Sequence, residues 1–386
     1  MKIFLIAATL ISNFLIASSS PDSLFNRITE RRFESGGERV IEPVKSGFGE
    51  LMSVKTEYDN FTSIQKEMLK KLFLRPDSDT SIVSPSGYFR IHFFKDGEKK
   101  PQYDVNELAA SFDSVYNFEI NILGYPIPPS DGLEGGDEKY DIYIDELSYY
   151  YGETIPENEI SENIYTSFIR IDNSFKKFPS KGISGARVTA AHEFFHAIQI
   201  GYYGYYSKEL FFYEMSSVAM EEFMYPEIND YFHYLKTYFN SPDQNITHYD
   251  YSLGIFVIYL KEKFGYGIIK EIWESIRTWK NTVSALDITL KKYGTNFKSA
   301  FNEFGIWSYY TNYRAKENNY FPDAEDFPSL NLTDMGFVVP EDNYNISSFP
   351  AANNFLFIIN AVRNDSLLVI ITNSDLSNAY SEGSLS

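Results

Sequence analysis

Apolar positions recur at helical spacing over residues 58–74 (Phe61, Ile64, Met68, Leu69, Leu72) and again over 105–121, where positions 105, 108, 109, 112, 115 and 116 line one face. Short β-rich runs over 88–94, 140–144 and 166–172 predict strands. Residues 126–136 hold three prolines and three glycines and predict an irregular loop. A strong helix is expected over 186–203, followed by helices at 208–224, 229–239, 251–264, 266–278, 283–293 and 297–313, with Gly265 standing where a helix stop is expected. Strands therefore come first and helices afterwards, an α+β arrangement rather than alternating βαβ units. Runs over 355–360 and 366–372 predict a small C-terminal β unit within 325–386. A catalytic-domain start is expected near Ser84-Pro85-Ser86-Gly87, which gives a main domain over 79–320. Residues 21–78 form either its N-terminal helical layer or a removable prosegment.

Composition narrows the class. The 386 residues are 44% hydrophobic and 17% aromatic, with 31 Tyr and 33 Phe, so a large aromatic core is expected. A net charge of −19 argues against nucleic acid or an anionic membrane surface as the partner. The chain begins Met1-Lys2, continues with a mostly apolar run over 3–16 and then reads Ala17-Ser18-Ser19-Ser20, the pattern of a secretory signal peptide over 1–20. The run is too short for a comfortable membrane anchor. The mature protein is thus expected outside the cytoplasm, secreted or periplasmic, with no membrane anchor. It has no cysteine, which excludes thiolate metal sites and cysteine nucleophiles.

The informative stretch is His192-Glu193-Phe194-Phe195-His196, in a chain with only 5 histidines. By chance the pattern arises in roughly one such sequence in a hundred or fewer. On a helix, residues four apart share a face, so both imidazoles reach one ion while Glu193 stands beside it. Val188, Ala190, Ala191, Phe194, Phe195, Ala197 and Ile198 make this helix apolar nearly all round, and histidines buried there need a shared partner such as a cation. A catalytic zinc ion needs a third protein ligand and an open position for water. Gln199 and Tyr202 exclude a third histidine downstream of metzincin type. Glu214 on the next predicted helix is the leading third ligand, with Glu209, Glu221 and Glu222 as competitors. Ser216, Ser217 and Ala219 let that helix approach closely. Glu221 shares a face with Glu214 and suits the role of orienting a ligand histidine. Glu193 is the expected general base. Tyr251 is the first choice as donor to the developing oxyanion, with Tyr249, His233 and His248 behind it. Asp131, Asp137, Asp141 and Asp145 are candidate Ca2+ ligands, but no calcium loop of recognised spacing surrounds them.

With these residues the chain resembles the gluzincin metallopeptidases, the thermolysin-like division of the zincins, and more narrowly secreted bacterial metalloproteases of the myxobacterial type. The likeness covers about residues 80–280. It rests on the stretch from Ser84 to His92, on Pro128-Pro129-Ser130-Asp131-Gly132, and on Lys139-Tyr140-Asp141-Ile142-Tyr143-Ile144. It continues through Thr189 to Gln199, Glu214 to Glu222, and Tyr251 to Phe256 with Tyr259-Leu260. Met215 and Ala219 depart from the glycine and tryptophan expected of relatives. The resemblance implies a zincin-like domain, Zn2+ bound by His192, His196 and Glu214, and hydrolysis of protein or peptide substrates. It further implies that Phe168, Ile169 and Arg170 belong to an edge strand that pairs with substrate backbone. The expected activity is that of a secreted metalloendopeptidase, and two alternatives remain open: a zinc aminopeptidase, and a non-catalytic binding protein on the same scaffold.

Overall fold

A computed structural model describes residues 20–32, 44–338 and 349–360. The signal-peptide segment (but for Ser20) and the strand expected over 366–372 lie outside the described residues. In chain order the elements are α1 (Pro21–Arg32), β1 (Val44–Ser46), α2 (Phe48–Thr56), α3 (Ser63–Leu69), β2 (Thr80–Val83), β3 (Phe89–Phe93), α4 (Val105–Tyr116), β4 (Tyr140–Asp145), β5 (Tyr150–Ser161) and β6 (Ile164–Asp172). Then come α5 (Gly182–Ile198), α6 (Leu210–Met224), α7 (Lys236–Asn240), α8 (Gly254–Phe264), α9 (Gly267–Trp279), α10 (Thr282–Lys292), α11 (Phe297–Tyr309), β7 (Thr333–Val338) and β8 (Leu356–Asn360). Among the described residues the protein is thus a mixed α/β structure with eleven α-helices around a six-stranded mixed sheet.

The sheet order is β1-β5-β6-β4-β3-β2. β6, β4 and β3 run parallel to one another, β5 and β2 run antiparallel to their inner neighbours, and β1 lies parallel to β5 on the outer edge. β7 and β8 form a separate parallel pair. This order corrects one expectation. β6 is an interior strand in which Ile169 pairs with Ile142 of β4 on one side and with Thr154 of β5 on the other. Phe168, Ile169 and Arg170 therefore offer no free backbone edge to a substrate.

The two faces of the sheet carry different layers. Ile169 and Ile171 face the main aromatic core with α4, α5, α6, α8 and α9, while Phe168, Tyr143 and Ile155 pack against a smaller cluster from α1, α2 and α3 that includes Leu24, Ile28, Leu51 and Leu69. The 58–74 stretch is broken into α3 flanked by two 3-10 turns, and Ile64 on its apolar stripe is 78% exposed. Glycine decides how close the sheet comes to α5. A Cβ on Gly152 of β5 would stand 2.4 Å from Thr189 Cγ2 and 2.9 Å from Glu193 Cγ.

Candidate metal centre

α5 is buried along almost its whole length, and this explains why its sequence shows no amphipathic stripe. At its C-terminal end the helix widens into a π-helical turn, Gln199–Tyr203, closed by Gly204 at φ +86°. The widened turn carries Gln199 back onto His196. His196 Nδ1–H donates to Gln199 Oε1 at 2.6 Å, and Gln199 Nε2 donates in turn to the Tyr213 carbonyl at 3.1 Å and to Ser216 Oγ at 3.2 Å. His192 Nδ1–H donates to Glu221 Oε1 at 2.7 Å. Each imidazole is thereby held in the tautomer that leaves Nε2 as an acceptor.

Those two Nε2 atoms lie 3.1 Å apart. Glu214 Oε2 lies 3.2 Å from His192 Nε2 and 3.3 Å from His196 Nε2. A tetrahedral ion with bonds of about 2.0–2.1 Å requires ligand–ligand edges of about 3.3 Å. The three donors thus surround a point where one divalent ion fits. They form the one group of three or more metal-capable side chains found among the described residues. Their burial points the same way. His192, His196 and Glu214 are 1%, 0% and 4% exposed, which is unfavourable for such groups without a common partner.

Burial holds both imidazoles down, to about 3, so they stay neutral and able to coordinate. The same desolvation pushes the Glu214 and Glu193 carboxyls up and takes Glu221 to about 8. Asp250 rises to about 6, through burial first and the nearby Glu214 charge second. The excess of buried acids is what a divalent cation would neutralise.

Glu193 is fully buried beside its two histidine neighbours. Thr154 of β5 lies 2.8 Å from its Oε2, the Ser46 hydroxyl also lies against the carboxylate, and Oε1 has no well-aligned partner. The Tyr251 ring lies 6.1 Å from that of His192, and its hydroxyl is 3.3 Å from the Ser46 amide and 3.4 Å from the Ser46 carbonyl. The other oxyanion candidates are elsewhere. His233 and His248 are exposed, and the Tyr249 hydroxyl donates to the Ser241 carbonyl. Of the competing glutamates, Glu209 Oε2 accepts from the Thr282 amide at 2.8 Å, and Glu222 belongs to a separate acidic group near Asp323. The aspartates considered for calcium are neutralised by bases instead: Asp131 and Asp141 pair with Arg75, Asp137 with Arg90, and Asp145 with Lys99 at 2.8 Å.

Sequence reasoning missed Ser46, Thr154 and Gln199. Gln199 alone carried a local signal, its place one helical turn past His196. The others reach the site from segments far away in sequence. No family model matches this chain, and no curated protein is significantly similar to it. No helix among the described residues is long and apolar enough to cross a membrane.

Proposed function

We propose that the protein is a zinc-dependent metallopeptidase of the gluzincin kind, built on a zincin-like domain and acting on peptide bonds outside the cytoplasm. The observation that carries this reading is the 3.1–3.3 Å triangle of His192 Nε2, His196 Nε2 and Glu214 Oε2 beside a carboxylate, Glu193, that is not part of it. The donor set and its spacing fit zinc; bound there, the ion would acidify a water and polarise the scissile carbonyl. Glu193, beside the three ligands, would accept a proton from water there and pass it to the leaving nitrogen, a role suited to a carboxyl whose pKa is raised by burial. Thr154 steadies one Glu193 oxygen, which leaves Oε1 as the one able to accept a proton. Glu221 and Gln199 hold the two imidazoles in register. The Tyr251 hydroxyl donates to the oxyanion. Export rests on the 1–20 segment.

Two histidines and a carboxylate also form the ligand set of non-haem iron(II) centres, so metal identity belongs in the test. The closed state of the site favours a second reading, a non-catalytic protein on the same scaffold, since Glu193 is 0% exposed. Metal content by mass spectrometry and casein cleavage, before and after limited trypsin treatment, decide between them. The expected result is about one zinc per chain, with cleavage that Glu193→Gln lowers by about a hundredfold or more while the metal stays bound. Iron in place of zinc, or zinc without cleavage in any form, would overturn the proposal.

A further inference from the structure

What encloses the metal centre is the chain's own N-terminal part. β1 lies along the outer edge of β5, with the Val44 amide donating to the Tyr149 carbonyl at 2.8 Å and the Gly47 amide to the Gly152 carbonyl at 3.1 Å. This edge is the one that faces the site, because Gly152 and Thr154 of β5 lie against Glu193. The Ser46 peptide group is held by Tyr251, and its hydroxyl rests on Glu193. Two residues on, the Phe48 ring stacks over His196 at 4.0 Å between centroids and 14° between planes. Gly47 makes the passage possible: a Cβ there would fall 2.1 Å from Glu153 Oε1. Residues 44–48 thus fill the space in which an extended peptide would pair with β5 and meet the general base.

The side chain between them has a dedicated pocket. Lys45 is 1% exposed, with its ammonium against Asp230 and 2.5 Å from Glu221 Oε2, 4.8 Å from the Tyr151 ring centre and 5.3 Å from that of Tyr234. Two buried carboxylates and two aromatic faces make a receptor for a cation, since a neutral or acidic occupant leaves both acids without the counter-charge that Lys45 supplies. Glu221 is also the partner of His192, so this pocket abuts the metal ligands directly.

We propose that residues 44–48 are an intramolecular ligand of the peptide groove, and that the pocket of Asp230, Glu221, Tyr151 and Tyr234 is a subsite for a lysine or arginine side chain of an external peptide. The proposal rests on the metallopeptidase reading and makes the folded chain a latent form, opened when residues 44–48 leave the β5 edge.

The test uses the full chain loaded with cobalt(II), whose visible spectrum reports acetohydroxamate reaching the metal. Wild type and Lys45→Arg respond slowly, while Lys45→Ala, with the pocket's cation removed, responds at least tenfold faster. Where Lys45→Ala fails to fold, trypsin-nicked wild type, with its termini mapped by mass spectrometry, gives the same comparison. A synthetic peptide spanning residues 44–56 inhibits the opened enzyme, and its Lys45→Ala version is at least tenfold weaker. Among fluorogenic peptides varied at one position, those with lysine or arginine there are cleaved at least tenfold better than those with alanine or glutamate, and Asp230→Asn erodes that preference. Cleavage by uncut chain with residues 44–56 still seated, or an opened enzyme indifferent to basic residues, would overturn the proposal. Opened protein that binds acetohydroxamate and the 44–56 peptide yet hydrolyses nothing sinks the peptidase reading alone.

Discussion

Replacing Glu214 by glutamine tests the metal centre most directly, because it keeps the side chain's size while removing its charge. Zinc held by four protein ligands is bound by roughly 10–16 kcal/mol, or about 2.5–4 kcal/mol per ligand. Glu214 Oε2 is one of three donors, each 3.1–3.3 Å from the others, and among the described residues no second carboxylate joins this group. Its loss should therefore weaken zinc binding by about two orders of magnitude or more. At saturating metal a hundredfold rise in Kd removes about 2.7 kcal/mol of ligand-derived stability. The metal-free protein behaves in the opposite sense. Burial raises the Glu214 carboxyl above its ordinary value, so ionising it opposes folding at pH values above about 4.5. Metal-free Glu214→Gln is thus at least as stable as metal-free wild type at pH 7. Competition with a chromophoric chelator gives the affinity, and denaturant unfolding with and without zinc gives both stabilities. A variant that binds zinc within threefold of wild type would refute the assignment.

Glu221→Gln weakens the fixing of His192 and lowers zinc affinity by about 10–100-fold, read by the same chelator competition. Glu193→Gln leaves zinc content unchanged and lowers peptide hydrolysis by the factor of about 10²–10⁴ that a general base supplies, read in the opened enzyme. Glu119, fully buried and with no hydrogen-bond partner for either oxygen among the described residues, has its carboxyl pushed up by desolvation. Stability should fall by about 1.4 kcal/mol for each pH unit above about 4.5 until the folded group ionises, and Glu119→Gln should flatten that slope in urea unfolding. Arg75 gathers Asp131, Asp141 and Glu157, so Arg75→Met takes the shared cation from three carboxylates, of which Asp141 keeps His92, and costs about 3–5 kcal/mol by the same assay.

Elements whose stability is local were readable along the chain. β3, β4 and β6 are short runs of β-branched and aromatic residues, and α4 shows a clear stripe closed at its start by Asp104, whose side chain accepts from the Asn106 amide at 2.7 Å. The pair His192 and His196 is legible because helical spacing alone brings them together. What could not be read depends on distant partners. β5 carries Glu153, Pro156, Asn158 and Glu159, a composition that reads as loop. It is a strand because Arg32 and Arg170 neutralise the buried Glu153 and because β6 pairs along its length. β1 has three residues, too few for any periodicity. α2 buries Phe48, Leu51, Met52 and Val54 in two different cores, so its apolar residues form no single stripe. Misplacing the sheet edge at β6 followed from missing β5 and β1 together.

The stacking of Phe48 on His196 has a kinetic consequence. An ion bound beneath that ring would leave only when residues 44–48 lift away, a local opening event with its own free energy. A chelator would then strip the metal at a rate that levels off as chelator concentration rises, because the opening and not the encounter sets the pace. By the same logic, loading is fastest before this segment has closed over the three ligands.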